Sequence, residues 1–268
     1  MDFKTTARLR KLNREFYSRV GPEFHSTRNR PWPGWVRLLE VLHDSLCVPG
    51  ARVLDVGCGN ARFARFLRER MPPSAAFEYQ GVDSDPFLIE VARAALEASG
   101  VRFELRQRDV LESPLAQKEW GEFNVVVAFG LLHHVPGRKE RQALTRDLAA
   151  QLAGSGRLVV SLWRFGKDPR STDRILPRSA FEDRLIDLAD LEPGDALLSF
   201  GGQETPRYCH DFDDLERIEL LRAPSGLRPE RTLEAFCDST DANDYLVWCR
   251  NAAEPGKAPA GSCARGIE

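Results

Sequence analysis

Three aspartates follow three apolar segments of the chain. Asp55 ends "RVLD", Asp83 ends "GVD" and Asp109 ends "QRD". If the three segments are parallel strands, their carboxyl ends meet at one edge of a sheet, where α/β proteins bind ligands. There, Asp83 could accept hydrogen bonds from both hydroxyls of a ribose, and Asp109 could accept one from the amino group of an adenine. We therefore expect these acids to bind a ligand that offers donors or positive charge.

A glycine turn follows the first of these acids in "VLDVGCGNARF". A dinucleotide-binding turn has the form GxGxxG, but only Gly57 and Gly59 fit, and Arg62 stands in the third place. Asp55 would repel a phosphate and suits a cation instead. Glycines let the backbone approach a ligand closely, and a helix starting at Ala61 would offer its positive N-terminus to a carboxylate. S-adenosylmethionine (SAM) fits, because it has an ammonium, a sulfonium and a carboxylate but no phosphate.

The elements that would position these residues alternate between strand and helix from residue 40 to residue 165. Short alternation of this kind predicts a parallel sheet with helices on both faces. The strands are predicted in "RVLDVG", "FEYQGVDS", "VRFELRQRDV", "FNVVVAFGLLHHV" and "RLVVSLWRF", and the helices in "ARFARFLRERM", "PFLIEVARAALEAS" and "RKERQALTRDLAAQL", the last closed by "AGSG". Upstream, Thr5 to Val20 is predicted to be a basic amphipathic helix, and "GWVRLLEVLHDSL" a second helix.

The pattern weakens after Phe165. We predict a long loop over residues 166–179, a short helix over 180–190, a strand or extended arm in "GDALLSF", and a strand feeding a helix in "RYCHDFDDLERIELLRAP" with Asp211 or Asp213 near its cap. "RTLEAFC" and "DYLVWCR" predict an antiparallel strand pair. The predicted organisation is an N-terminal basic helix and substrate lid (1–39), a cofactor-binding core (40–165), an insertion with C-terminal strands (166–250) and a disordered tail (251–268).

Residues 52–165 resemble the class I SAM-dependent methyltransferases. "LDVGCGNARF", "GVDSD", "RQRDV" and "AFGLLHHV" are similar to four successive motifs of that family, with Ala61 in place of the third glycine of the first motif. The resemblance implies a Rossmann-like, seven-stranded, doubly wound sheet and SAM as the cofactor. It assigns SAM binding to Asp55, Gly57, Gly59, Asp83, Ser84, Asp109, Val110 and Phe129.

The flanking segments resemble one subgroup, the tRNA wobble-uridine methyltransferases that esterify a 5-carboxymethyl group. The similar segments are "HSTRNRPWPGW", "PGDALLSF" and "PRYCHDF", and the resemblance spans roughly Leu12 to Arg250. It implies tRNA as a partner, and a small zinc-binding activator protein as a second one. The chain departs from the subgroup at Cys209, where an aromatic residue is common, at "GGQETP", which replaces a longer link, and after "LLSF", where no tryptophan follows.

A carboxylate acceptor is already a nucleophile at neutral pH, so it needs orientation rather than a base. We predict Arg28 and His134 as catalytic residues, and Arg28, His133, Arg207 and Tyr208 as substrate-binding residues, because cations orient carboxylates and phosphates. The alternatives are structural: Arg28 could pin the N-terminal loop, the two histidines could only close a loop, and Arg207 and Tyr208 could be ordinary strand residues.

Composition and charge limit the classes of protein to which the chain can belong. The formal charge is −2, with nine basic and three acidic side chains from Met1 to Arg37. The six cysteines form no CxxC and no zinc-type spacing, so we predict no metal site and a reduced, cytoplasmic protein. No segment resembles a signal peptide or a membrane span. Two further hypotheses remain open: methylation of a small carboxylate or hydroxyl metabolite, and a non-catalytic SAM-binding regulator.

Overall fold

The computed structural model of the chain describes residues 1–26, 30–72, 75–201, 206–234 and 243–250. Within them, seven strands form one sheet in the order β3-β2-β1-β4-β5-β9-β8. Its first five strands are parallel, and β9 is antiparallel to both of its neighbours. The strands of this sheet are β1 (Ala51–Val56), β2 (Phe77–Asp83), β3 (Arg102–Gln107), β4 (Phe123–Ala128), β5 (Leu152–Trp163), β8 (Leu227–Glu234) and β9 (Asn243–Arg250).

Helices cover both faces of this sheet, which confirms the predicted doubly wound, Rossmann-like fold. Successive residues of β1 face opposite layers: Val53 packs with α2, α3 and α4, and Leu54 packs with α5 and α8. The helices are α1 (Phe3–Ser26), α2 (Gly34–Leu46), α3 (Arg62–Arg70), α4 (Pro86–Ser99), α5 (Arg138–Ala149), α6 (Pro169–Thr172), α7 (Ser179–Glu182) and α8 (Asp214–Arg222), with short 3-10 helices at Leu132–His134, Phe165–Lys167 and Leu188–Asp190.

Local signals set several boundaries as predicted. Helix α4 begins where the Asp85 carboxylate accepts from the backbone N–H groups of Phe87 and Leu88, with Pro86 in the first turn. It ends at Gly100, whose φ of 69° is left-handed. Asp213, one of the two predicted cap residues, caps α8 by accepting from the N–H of Glu216. Among the described residues, no helix has the length and apolarity needed to cross a membrane.

Several of the predicted boundaries are wrong. The predicted loop over residues 166–179 contains the short helix α6, and the helix predicted over 180–190 ends at Glu182. The segment "AGSG" does not close a helix, because β5 already begins at Leu152 and runs through it. Gly156 allows this, since a Cβ there would lie 2.8 Å from the carbonyl oxygen of Phe123 on β4. Helix α1 extends to Ser26 and contains Pro22, whereas the sequence pattern ended the helix at Val20.

A second sheet lies outside the predicted architecture. Strand β6 (Asp195–Leu198) pairs antiparallel with β7 (Arg207–His210). One face of this pair packs on α1, where Leu9 and Leu12 join Leu197 and Tyr208 in a buried cluster. The sequence predicted both segments as extended but not their pairing. The predicted disordered tail (251–268) lies outside the described residues.

Candidate active site

A cavity of about 690 Å³ opens at the carboxyl ends of β1 to β4. Ligand pockets for small molecules and cofactors occupy about 300–1,000 Å³, so the space suits a nucleoside cofactor with its acceptor. Helix α1 and the segment Trp32–Trp35 form its outer wall. The lining includes every residue that the sequence assigned to the cofactor, Asp55, Gly57, Gly59, Asp83, Ser84, Asp109, Val110 and Phe129, together with the predicted catalytic residue His134.

The glycine turn leaves open space on its cavity side. Gly57 and Gly59 have φ values of 76° and 54°, which favour glycine. A Cβ built on Gly59 would have no other atom within 4 Å. The N–H groups of Gly57 and Cys58 donate to the carbonyl of Val82 at 2.8 and 3.0 Å, which fixes the turn against β2. The turn therefore fits a ligand that approaches the backbone closely, as SAM requires.

Ala61 adopts a left-handed conformation at the start of α3, with φ 53°. This geometry explains why glycine is usual at this motif position, since the conformation costs a non-glycine residue about 1–2 kcal/mol. Relief of that cost would offset the loss of a buried methyl group, about 0.8 kcal/mol. We expect Ala61→Gly to leave the free energy of unfolding within about 0.5 kcal/mol of the wild type in urea denaturation. Ala64→Gly, a control inside the same helix, should lose about 2 kcal/mol, and equal losses would contradict this account.

Asp83 is oriented by the backbone around it. One carboxylate oxygen accepts from the N–H of Gly59 at 2.8 Å, and the other accepts from the N–H of Asp85 at 2.9 Å. Each oxygen keeps further acceptor capacity, because a carboxylate has about four lone-pair sites. Burial raises the pKa of Asp83, and the two N–H donors oppose that shift. The geometry fits the predicted role toward ribose hydroxyls.

Asp55 lines the cavity but is only 2% exposed. The Tyr79 hydroxyl donates to its carboxylate at 2.8 Å. Burial raises the pKa of Asp55 to about 7, and the nearby charge of Asp83 adds to the increase, while the Tyr79 hydrogen bond opposes it. Near neutral pH this group is therefore poised between its acid and its carboxylate, and a cationic ligand would favour the carboxylate.

Asp109 accepts from the N–H of Leu111 at 2.9 Å and lies 3.6 Å from the guanidinium of Arg14. Its predicted hydrogen bond with an adenine amino group would share the carboxylate with these partners. Arg62, which the sequence analysis treated only as a missing glycine, lines the cavity with its guanidinium 5.2 Å from the rings of both Trp32 and Trp35. The Arg62 guanidinium also donates to the carbonyl of Arg30 at 2.9 Å, and it adds a positive charge to the cavity wall.

The side of the cavity formed by α1 contains residues that the sequence motifs did not point to. Asn13 and Tyr17 of α1 line the cavity beside His134. The Tyr17 hydroxyl lies 2.7 Å from Nε2 of His134, and Nδ1 of His134 lies 3.0 Å from the carbonyl oxygen of Tyr208. A spacing of four residues places Asn13 and Tyr17 on one side of the helix, next to the apolar stripe. That spacing was the available signal.

The predicted substrate residues are not brought together. His133 and Arg207 are 5% and 2% exposed, and both pack on the ring of Trp163 rather than lining the cavity. Tyr208 is fully buried, and its hydroxyl donates to Asp195 at 2.7 Å. In this structure these three side chains do not line the cavity, so the predicted contact with a substrate in this cavity is not seen for them. Arg28 lies outside the described residues.

Two groups in the described part of the chain could offer three metal-ligand atoms each, His133 with His134 and Cys209, and Glu192 with Asp195 and His210. In the first group, Nδ1 of His134 already donates to a backbone carbonyl. In the second, Nδ1 of His210 lies 2.7 Å from the Asp195 carboxylate. Hydrogen bonding therefore already engages both groups.

Comparisons with known proteins agree with this geometry. The family described as "Methyltransferase domain" matches residues 53–156. A ubiquinone biosynthesis O-methyltransferase of Xanthomonas euvesicatoria is 36% identical over 46% of this chain and 47% of its own length. The mouse tRNA (carboxymethyluridine(34)-5-O)-methyltransferase ALKBH8 is 24% identical over 56% of this chain and 19% of its own length.

The fold is also similar to solved structures. The crystal structure of a SAM-dependent methyltransferase from Methanosarcina mazei aligns with a TM-score of 0.56 and 17% identity, covering 82% of this chain and 98% of that one. The chain spans about half the length of the Xanthomonas relative. The family and fold imply SAM as the cofactor. The family match therefore gives residues 53–156 a methyltransferase domain, and the motif order, the strand order and the solved structure agree with the fold of the class I SAM-dependent enzymes.

Proposed function

We propose that this chain methylates an oxygen atom of its acceptor, and that the acceptor is the 5-carboxymethyl group of a tRNA wobble uridine, which becomes a methyl ester. The observation that carries the proposal of methyl transfer is the cavity itself, in which the strand-end acids and the open glycine turn lie beside His134. When bound, SAM supplies a methyl group activated by its sulfonium.

The chain's own residues would bind the cofactor, orient the acceptor and exclude water. Asp83 and the glycine turn would hold the cofactor, with Asp55 facing its cationic part. Phe129 packs edge-on against Phe63 at 4.9 Å and lies 5.4 Å from Trp35, so an aromatic wall borders the cavity. A carboxylate acceptor needs only to be held in line with the methyl group, because it carries its own nucleophilic lone pair.

The choice of tRNA is supported by the resemblance of the flanking segments and by the name of the mouse relative. Trp32 and Trp35, which belong to the N-terminal segment of that resemblance, line the cavity. The zinc-binding activator remains part of this proposal, since it is implied by the same resemblance.

The second candidate is O-methylation of a small metabolite, as the name of the Xanthomonas relative suggests. One observation favours it. The basic side chains of α1 that border the cavity pair with acids of this chain: Arg10 lies 3.5 Å from Glu140, and Arg14 pairs with Glu112 and Asp109. Their charge is thus partly neutralised, which weakens attraction for a polyanion such as RNA.

Nucleoside mass spectrometry tests the acceptor. Total tRNA from cells with and without the gene would be digested, and methyl-ester and free-acid wobble nucleosides quantified. The proposal expects loss of the ester and accumulation of the acid. Unchanged ester levels would remove the tRNA acceptor. Incubating the purified chain with labelled SAM and either that tRNA or small phenols and carboxylates, with and without the activator, would then identify the second candidate.

Cofactor binding is tested separately with Asp83→Ala. We expect the affinity for SAM in calorimetric titration to fall by about 1–3 kcal/mol, because hydrogen bonds are lost and the N–H groups of Gly59 and Asp85 lose their acceptor. Glu90→Ala, on the exposed side of α4, is the matched control and should bind SAM like the wild type. Equal affinities for both variants would contradict the placement of SAM at Asp83.

A further inference from the structure

We infer that Tyr17 acts with His134 as one hydrogen-bonded pair on the acceptor side of the cavity, and that this pair holds or moves a proton at the acceptor oxygen. The inference rests on the proposed methyl transfer to oxygen. Both side chains line the cavity, and the Tyr17 hydroxyl lies 2.7 Å from Nε2 of His134. Sequence motifs assign no role to Tyr17.

The shortest polar contact of Nδ1 assigns the tautomer of His134: the Tyr208 carbonyl oxygen lies 3.0 Å away, whereas the Asn13 amide nitrogen and the Cys209 sulfur lie at 3.5 and 3.8 Å. A carbonyl oxygen only accepts, so the 3.0 Å contact between Nδ1 of His134 and the carbonyl of Tyr208 requires a proton on Nδ1. In neutral His134, Nε2 then carries the lone pair and accepts from the Tyr17 hydroxyl. The Tyr17 hydroxyl is therefore the hydrogen-bond donor of the pair, and the imidazole of His134 is the acceptor.

Three segments of the fold hold the pair in place. Tyr17 comes from α1, His134 from the short helix after β4, and the Tyr208 carbonyl from β7. Asn13, 7% exposed, joins them: its amide oxygen accepts from the N–H of Tyr208 at 2.8 Å, and its amide nitrogen donates to the carbonyl of His134 at 3.4 Å. This framework leaves the imidazole little freedom to rotate.

The chemistry depends on the acceptor. With a hydroxyl acceptor, the acceptor proton moves to the Tyr17 oxygen while the Tyr17 proton moves to Nε2 of His134. The acceptor oxygen forms its bond to the methyl carbon as the carbon–sulfur bond breaks, and that electron pair stays on sulfur. The positive charge of the sulfonium ends on the imidazolium, so charge and atoms balance.

A carboxylate acceptor has no proton to lose, so the pair would work in its protonated form. Nε2–H of the imidazolium then donates to the Tyr17 oxygen, and the Tyr17 hydroxyl donates to the carboxylate oxygen that is not methylated. The two acceptor classes thus predict opposite pH profiles. Turnover with a hydroxyl acceptor should rise as His134 loses its proton, and turnover with a carboxylate acceptor should fall.

The test compares the wild type with Tyr17→Phe, which keeps the ring and removes the hydroxyl. We expect kcat to fall at least tenfold and the histidine-dependent step in the pH profile to shift or disappear, with SAM affinity and melting temperature unchanged. Lys11→Ala, an exposed change in the same helix, should behave like the wild type. An unchanged kcat and pH profile in Tyr17→Phe would overturn the inference.

A second measurement does not depend on turnover. In ¹⁵N-resolved NMR of the imidazoles at high pH, His134 should carry its proton on Nδ1, and Tyr17→Phe should shift its Nε2 resonance. A proton on Nε2, or an Nε2 resonance indifferent to Tyr17→Phe, would overturn the pair even in an inactive preparation. Failure of the proposed function would look different, since the wild type would then methylate neither acceptor class while the NMR signature persisted.

Discussion

Replacing Arg141 by methionine should lower the free energy of unfolding by about 3–5 kcal/mol, because removal of one partner leaves buried charges uncompensated. The Arg141 side chain is fully buried. Its guanidinium donates to Glu216 at 2.7 Å, to Glu192 at 2.6 Å and to the carbonyl of Val135 at 3.0 Å. Methionine fills much of the volume but leaves two carboxylates and a carbonyl without this donor.

Urea denaturation of Arg141→Met, measured beside Arg146→Met, checks this expectation. Arg146 lies on the exposed side of the same helix, so its replacement should cost less than about 0.5 kcal/mol. The cost of Arg141→Met should also shrink in acid, since protonated carboxylates need no cation. Although burial raises the pKa of Glu216, His210 and Arg141 hold it below its usual value. The loss should therefore narrow as pH falls below 4.5, and a cost equal to that of Arg146→Met at pH 7 would refute this account.

Asp55→Asn should weaken SAM binding by about 3 kcal/mol, because in a desolvated site a carboxylate stabilises a bound cation more than an amide does. The wild type should show a matching pH dependence. With the pKa of Asp55 near 7, the affinity should fall about fifteenfold from pH 7 to pH 5.5 as the group takes up a proton. Calorimetric titration across that range measures both effects.

The thermal stability of Asp55→Asn should depend on pH differently from that of the wild type. A carboxyl group whose folded pKa lies above its unfolded value stabilises the fold at low pH and loses that contribution as pH rises through 7. Asp55→Asn removes this loss, so the unliganded variant should melt higher than the wild type at pH 8. Glu112→Gln, another charge removal on the cavity wall, should keep the pH-dependent affinity. A pH-dependent affinity that survives in Asp55→Asn would assign the titration to another group.

The cofactor-binding core could be predicted from the sequence because its strands and turns are set by residues close together in the chain. The strand-end positions of Asp55, Asp83 and Asp109 follow from apolar runs that stop at an acid, and the cavity lies where the parallel strands end. The same reasoning missed the strained backbone of Ala61, since a sequence shows residue type and not φ. It also did not predict that Tyr79 holds the Asp55 carboxylate in an almost fully buried position.

The rest of the site depends on contacts between distant segments, which no local pattern encodes. The β6–β7 pairing points the Tyr208 side chain toward a buried apolar cluster and its backbone carbonyl toward His134. The sequence resemblance draws attention to the ring of Tyr208, whereas in the structure the backbone of that residue contacts His134. The contact between Tyr17 and His134 was likewise hidden, because it depends on where α1 lies against the core.

The two hydrogen bonds of Asn13 join it to segments that lie 195 positions away, at Tyr208, and 121 positions away, at His134. An N-terminal segment grafted from another methyltransferase without an amide at this position would leave the buried N–H of Tyr208 with no acceptor and loosen the backbone of His134. The N-terminal helix and the second sheet are thus expected to diverge in concert during evolution, as a matched set. Chimeras that exchange acceptor specificity in this architecture would need to carry both segments across together.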